Sequence, residues 1–195
     1  MKIIDILIEQ CKKPKGLLGN FMIKTMEIMD VGLNKWALWK IDPSDGNILD
    51  IGCGGGKTIH ALSKMYPEAK LFGIDYSEEA VKMAKKKNRQ KIVEGSVVIK
   101  QSSVSTMPFS NNFFDYIVAI RTHYFWPNLK ETMNEVFRVL NKKGKLLIFS
   151  ELYKINYHME HYNTDDSINQ LLKETGFETV EIHKKNQCIC IIAVK

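Results

Sequence analysis

The chain predicts an α/β fold, a doubly wound parallel sheet with helices on both faces, on three observations. From residue 46 onward, short apolar runs alternate with stretches of helical periodicity. The first run, Asn47-Ile48-Leu49-Asp50-Ile51, turns through Gly52-Cys53-Gly54-Gly55-Gly56 into a helical segment. The second run ends on an acid, Asp75, where an open sheet presents a carboxylate to ligand hydroxyls.

The glycine loop is a ligand cradle, because residues without a Cβ let a ligand approach the peptide groups. Its spacing selects among loop types. A GxxxxGK[ST] phosphate loop would use Gly56-Lys57-Thr58 but needs glycine where Ile51 stands. A GxGxxG fingerprint begun at Gly52 needs glycine at Lys57, and begun at Gly54 needs it at Ile59. What remains is acid-x-Gly-x-Gly-x-Gly, from Asp50 to Gly56.

After the loop, Lys57 to Tyr66 reads as a helix with Ile59, Leu62, Met65 and Tyr66 on one side, stopped by Pro67. Ala69 to Asp75 is the second strand, and Ser77-Glu78-Glu79 opens the next helix, so Asp75 is either a ribose-type acceptor or a capping acid. Val97 to Gln101 is strand three, followed by Ser102-Ser103-Val104 and Met107-Pro108-Phe109. Phe113 to Ile120 is strand four, and Phe137 to Ile148 is a helix turning into strand five. Glu151 to Asn163 is rich in tyrosine and histidine. Thr164 then caps a helix with Asp165 and Asp166 in its first turn and Ile168, Leu171 and Leu172 on its buried face, ended by Gly176. Phe177 to Lys184 and Cys188 to Val194 form two closing strands. Ahead of the first strand, Ile4, Leu7, Ile8 and Cys11, then Met22, Ile23, Met26 and Met29, mark two helical patches separated by a turn at Pro14, Gly16 and Gly19. Trp36, Trp39 and Asn34 either reach the site or anchor this extension to the sheet.

The Asp50 to Gly56 pattern resembles motif I of the class I S-adenosylmethionine-dependent methyltransferases, in their type 11/25-like branch. Met107-Pro108-Phe109, the Phe114-Asp115 strand and the Arg138-Val139-Leu140 to Gly144 turn are similar to the family's later blocks, so the resemblance covers about residues 46 to 150 in order. It implies a Rossmann-like seven-stranded sheet, order 3-2-1-4-5-7-6 with the last strand antiparallel, and an N-terminal helical extension. Residues 1–45 would be a helical cap and 46–195 the cofactor-binding core of a single domain.

The resemblance also implies the cofactor, S-adenosyl-L-methionine, with S-adenosyl-L-homocysteine as product. Asp50 would orient its methionine end, and the main chain of Gly52, Cys53, Gly54 and Gly56 would favour its carboxylate. Asp75, with Tyr76 beside it, would take the ribose, and Ser103 with the Val104 amide would contact adenine. Many relatives carry an acid where Ser103 stands; a serine hydroxyl accepts neutrally and with shorter reach. Lys142-Lys143-Gly144 replaces the common Pro-Gly-Gly, which alters turn stiffness and no chemistry.

Strand four runs into Arg121-Thr122-His123-Tyr124-Phe125-Trp126-Pro127, at the edge to which the methyl group would point. His123 is a candidate general base because an ordinary imidazole titrates near working pH, and Tyr124 or Trp126 would face the sulfonium. The competing readings are a loop histidine and packing aromatics. His158 and His161 are further candidates, and Arg121 either binds an acidic substrate or pairs with a carboxylate.

Composition bounds the rest. With 195 residues, 45% of them hydrophobic, the chain can bury one full core. The opening apolar run is broken by Asp5 and Glu9, a poor secretory signal, and no stretch is long enough to span a membrane. Cysteines at 11, 53, 188 and 190 lack metal-ligand spacing, so no metal is expected and reduced thiols in the cytoplasm are the simpler reading. The net charge of +6 resides partly in Lys85-Lys86-Lys87 with Arg89 and in Lys142, Lys143 and Lys145, which ordinary crossover geometry sends to the edge away from a ligand. Neither an Asn-Pro-Pro-aromatic signature nor a Pro-Cys pair follows strand four, which disfavours nucleic acid as partner. The expected acceptor is a small molecule, and the expected protein is a monomer or homodimer. Two alternatives stay open: a non-catalytic S-adenosylmethionine-binding protein and a nicotinamide-dependent oxidoreductase.

Overall fold

The computed structural model describes residues 31–40 and 45–195. The two helical patches expected before residue 30, with Lys12, Lys13 and Lys15, lie outside them.

A seven-stranded sheet organises the chain: β1 (Asn47–Ile51), β2 (Lys70–Asp75), β3 (Val97–Gln101), β4 (Phe114–Ile120), β5 (Leu140–Glu151), β6 (Thr179–Lys185) and β7 (Cys188–Val194). Their order is β3-β2-β1-β4-β5-β7-β6, with β7 antiparallel to both neighbours and the first five strands parallel. β1 is central: Asp50 lies opposite Gly73 of β2 and Val118 of β4. The chain reverses direction across the sheet beside β1, which opens a crevice at the strands' carboxyl ends.

Both faces of the sheet are covered, so its strands are continuously apolar. On one face Ile48, Leu71, Val118, Leu147 and Phe149 pack against Ala37 and Leu38 of α1 (Val31–Leu38), Ile59 and Leu62 of α2 (Lys57–Met65) and Val81 and Ala84 of α3 (Glu78–Lys87). On the other, Leu49, Ile117, Ile148 and Ile191 meet Met133, Val136 and Val139 of α5 (Leu129–Val139) and Ile168, Leu171 and Leu172 of α7 (Asp165–Thr175). Each of the Val, Leu, Ile, Met and Phe side chains so removed from water stabilises the fold by about 1.5–3 kcal/mol. Phe114 sits fully buried at the centre of an aromatic cluster with Phe72, Phe109 and Phe113, ring centroids 4.8 to 5.3 Å from its own. Truncating it to Ala costs about 3–5 kcal/mol.

Capping follows the sequence closely. Ser77 accepts from the Ala80 amide at the start of α3, and Thr164 and Ser167 form a capping box on α7, which ends on left-handed Gly176. Four short elements were not anticipated: α1, α4 (Arg89–Val93), a 3-10 helix at His123–Phe125 and α6 (Leu152–His158). None is long enough for its apolar periodicity to stand out in the sequence, so tertiary contacts fix them.

The end of α3 departs from expectation. The crossover rule sends its basic C-terminus away from the ligand edge, yet the C-cap residue Asn88 donates from Nδ2 to the carbonyl of Gly56, 3.1 Å away, inside the glycine loop. The helix packs through Ala84 and Asn88 against Gly56 at the N-terminus of α2, and Lys85-Lys86-Lys87 in its last turn complement the α3 dipole. Lys142, Lys143 and Lys145 open β5 at the opposite end. No helix of the described residues is long and apolar enough to cross a membrane.

Candidate active-site crevice

The glycine loop is held from three sides. The amides of Gly52 and Cys53 both donate to Ile74 O, at 2.8 and 3.0 Å, tying the loop to β2. Thr122, just past β4, donates from Oγ1 to Ile51 O at 3.0 Å, and a Cβ on Gly52 would lie 2.5 Å from its Cγ2. Asn88 closes the third side from α3. Thr122 and Asn88 escaped sequence reasoning because both act on the backbone from distant elements and belong to no local pattern.

Gly54 points the other way. Its φ is +51°, and a Cβ placed on it would meet nothing within 4 Å. This is the loop's open side, and a side chain there would fill it.

The loop amides are mostly turned inward. Besides Gly52 and Cys53, Gly54 donates to Asp75 Oδ2 at 2.9 Å and Gly56 to Cys53 O at 2.9 Å. Among the described residues, only the Gly55 amide of this loop makes no such bond. An anion at the loop would therefore meet Gly55 and the first turn of α2 rather than the whole run from Gly52 to Gly56.

Two acids lie beside the loop. Asp75 ends β2 half-buried, and its carboxylate takes the Gly54 amide on Oδ2 and the Ser77 amide on Oδ1, each at 2.9 Å. The capping reading is present: Asp75 Oδ1 takes the Ser77 amide and braces the start of α3. Burial raises its pKa despite the backbone donors from Ser77, Gly54 and Tyr76. Asp50 is 1% exposed, and its Oδ2 has no hydrogen-bond partner among the described residues. Burial, and secondarily the charge of Asp75, push its pKa up to about 8. Cys53 is buried beside them, its thiol raised well above the ordinary range by burial and by both acids, which makes it inert packing. Tyr76 is exposed at the rim.

Ser103 and Val104 lie on the loop after β3. Ser103 Oγ accepts from the Ser105 amide at 3.2 Å, an ST-turn that shapes this loop, and Val104 is 9% exposed within the core edge.

The segment after β4 is more buried than the sequence suggests. His123 is 1% exposed, with Nδ1 3.0 Å from Ser150 Oγ on β5. Ser150 Oγ also donates to Phe149 O at 2.7 Å; with its hydrogen so engaged, Nδ1 carries the imidazole proton and Nε2 is left as the acceptor. Burial pulls the His123 pKa down to about 3, which corrects the expectation that it titrates near working pH and excludes an exposed loop histidine. Tyr124, also buried, stacks on His158 of α6 with planes 9° apart and centroids at 5.4 Å. Trp126 meets His123 edge-on at 6.4 Å, while His161 is exposed.

Arg121 does not extend toward a ligand. It is 9% exposed, its Nε lies 2.6 Å from Glu151 Oε1, and its guanidinium covers the Phe149 ring at 5.4 Å. Trp36 of α1 packs edge-on against the same ring at 6.3 Å, so it anchors α1 to the sheet; Trp39 is 72% exposed. Among the described residues no group of three His, Cys, Asp or Glu side chains could hold a metal.

A family model described as a methyltransferase domain matches residues 42–189. The chain is 27% identical over 158 residues to the uncharacterised methyltransferase YdaC of Bacillus subtilis, covering 79% of this chain and 84% of that protein. A SAM-dependent methyltransferase from Aquifex aeolicus superimposes with a TM-score of 0.71 at 20% identity, over 88% of this chain and 96% of that one. Phosphoethanolamine N-methyltransferase 2 of Haemonchus contortus, solved with S-adenosyl-L-methionine, superimposes with a TM-score of 0.72 at 17% identity, over 85% of this chain and 52% of that one.

Proposed function

The chain belongs to the class I S-adenosylmethionine-dependent methyltransferase family, and on that premise we propose that it moves a methyl group from S-adenosyl-L-methionine to a small-molecule acceptor, leaving S-adenosyl-L-homocysteine. Family membership sets aside the nicotinamide reading. One observation carries the choice of cofactor. Among the described residues, Asp50 Oδ2 is buried without a hydrogen-bond partner, near enough to Asp75 to feel its charge. An orphaned buried carboxylate oxygen is costly and calls for a donor, which a ligand's ammonium group would supply. The donor set fits: Asp75 offers a carboxylate to vicinal hydroxyls, Gly55 and the first turn of α2 offer amides to a carboxylate, and Ser103 offers a hydroxyl beside the apolar Val104.

In this reading Asp50 orients the amino-acid end, while Gly52, Cys53, Gly54 and Gly56 shape the loop around it. Asp75 and Tyr76 hold the ribose edge, and Ser103 with Val104 flanks the adenine. The cofactor, when bound, supplies an electrophilic methyl group on a sulfonium. The chain's task is to align an acceptor with that group and to keep water out, and positioning of this kind lowers a barrier by several kcal/mol.

His123 and Tyr124 are the acceptor-side candidates. His123 serves as a neutral imidazole whose Nε2 accepts a hydrogen bond from the acceptor, oriented through Nδ1 by Ser150. Tyr124 contributes an aromatic wall, held in place by its stack on His158. Residues 1–45 would cap the crevice in the same single domain.

The test is transfer of a labelled methyl group from S-adenosyl-L-methionine into a whole-cell extract that is then separated into small molecules, protein and nucleic acid. Label recovered in a small molecule supports the proposal. Label recovered only in protein or nucleic acid would overturn the acceptor class, and binding without any transfer would favour the non-catalytic alternative.

A further inference from the structure

Between β3 and β4 the chain runs through 102–113 without a helix or strand, and this loop carries Ser103 and Val104. Its local bonds are few and weakly shaping: Ser105 N to Ser103 Oγ at 3.2 Å, Ser102 Oγ to Thr106 O at 3.4 Å and Phe109 N to Met107 O at 2.8 Å. Its far end is anchored apolarly, with Phe109 stacked on Phe113 at 6.0 Å and edge-on to Phe72 and Phe114. The middle of the loop is held by a polar stripe along one side of α5, running from buried Thr132 to half-buried Glu135 and Arg138. Thr132 Oγ1 lies 3.3 Å from Ser105 Oγ. Glu135 Oε1 accepts from Met107 N at 2.7 Å. Arg138 donates from Nη2 to Met107 O at 3.2 Å and from Nη1 to Phe109 O at 2.9 Å and Asn111 Oδ1 at 2.7 Å. Arg138 Nε closes the arrangement on Glu135 Oε2 at 2.6 Å.

We propose that Glu135 and Arg138 are positioning residues for the adenine side of the cofactor site: they grip the backbone of Met107 and Phe109 and so fix where Ser103 and Val104 stand. The inference rests on the adenine assignment made above. Spacing supports it, since residues 132, 135 and 138 recur every three positions and present one helix face to one loop. So does chemistry. Glu135 and Arg138 spend their hydrogen bonds on each other, on the loop backbone and on Asn111, a use that a merely solvating surface pair would not make. A planar guanidinium reaches two carbonyls and a side-chain amide at once, which a lysine ammonium on a flexible stem cannot reproduce in the same geometry. Ser103 carries a neutral hydroxyl of short reach, so any contact it makes depends on where the loop backbone places it.

The experiment compares two ligands on three proteins. S-adenosylhomocysteine and S-ribosylhomocysteine, which lacks the adenine, are titrated into wild type, Arg138→Met and Glu135→Gln, with hydrogen exchange followed by mass spectrometry on the same samples. The expected result is a roughly tenfold or greater loss of S-adenosylhomocysteine affinity in the variants, an S-ribosylhomocysteine affinity unchanged within twofold, and faster exchange confined to 103–109. Arg138→Lys should restore little of the loss. Equal losses for both ligands, or faster exchange spread over the whole sheet, would make the pair a general stabiliser and overturn the proposal. Wild-type affinity in both variants would overturn it too. Failure of wild type to bind S-adenosylhomocysteine would instead strike the cofactor reading beneath it. Should Arg138→Met not fold, Glu135→Gln alone decides, since it keeps the side chain's size and one acceptor oxygen and removes only the negative charge and the second oxygen that bind Arg138 and the Met107 amide together.

Discussion

The carboxylate of Asp75 accepts the amide of Gly54 at 2.9 Å, so the acid that ends β2 also sets the geometry of the glycine loop after β1. Its second oxygen takes the Ser77 amide, and one side chain therefore joins β2, the loop and the start of α3. Asp75→Ala should weaken S-adenosylhomocysteine binding by about 1.5–3 kcal/mol, roughly 10- to 150-fold. Asp75→Asn, which keeps one acceptor, should fall between. Titration calorimetry on folded variants checks this, and unchanged affinity in Asp75→Ala would remove Asp75 from the site.

Asp50 makes the ligand-free protein sensitive to alkali. Its pKa is about 8 in the fold against 3.8 for an unperturbed aspartate, so it is protonated when folded and ionised when unfolded between those values. The stability it allows is complete below about pH 4 and is lost as pH rises toward 8, by on the order of 1 kcal/mol per pH unit. Asp50→Asn should flatten that slope and raise the melting temperature at pH 8. A cationic ammonium beside Asp50 would restore its ionised form, so cofactor-product binding at pH 7 should release close to one proton. Calorimetry in buffers of different ionisation enthalpy measures that proton; no release would contradict the assignment of Asp50.

His123 acts on the acid side. Its pKa is about 3 in the fold against 6.5 unperturbed, so the stability of keeping it neutral is fully present above pH 6.5 and is lost as pH falls toward 3. His123→Gln, which preserves a hydrogen bond to Ser150, should reduce the acid-side slope of the unfolding free energy. The rate profile of methyl transfer should show no limb near pH 6.5 from this residue. A limb there that vanishes in His123→Gln would mean that the imidazole titrates in the working enzyme.

The Arg121 and Glu151 pair is structural. Both are nine-tenths buried, and Glu151→Ala leaves a buried guanidinium without its carboxylate, at a cost of about 3–5 kcal/mol. Replacing the pair with Met at 121 and Leu at 151 should recover most of that loss. Denaturant unfolding of the single and double variants distinguishes this from a substrate-binding role, in which stability would change little.

Much of the fold was legible because the signals were local. Asp50 to Gly56, the strand ends at Asp75 and Gln101 and the Thr164 cap with Gly176 each announce a turn or terminus by residue type, and each lies where expected. What the sequence hides is burial and long-range contact. His123 looks like an ordinary histidine until β5 brings Ser150 beneath it. Arg121 looks like a free cation until Glu151, on the next strand, takes it. The tilt of α3 against the glycine loop depends on Asn88 and Ala84 packing at Gly56, which no periodicity encodes.

The most direct test of the account is titration calorimetry of the purified protein with S-adenosyl-L-homocysteine, with NAD as parallel control. The expected result is saturable micromolar binding of S-adenosyl-L-homocysteine and none of NAD. Binding of NAD instead, or of neither ligand, would contradict it.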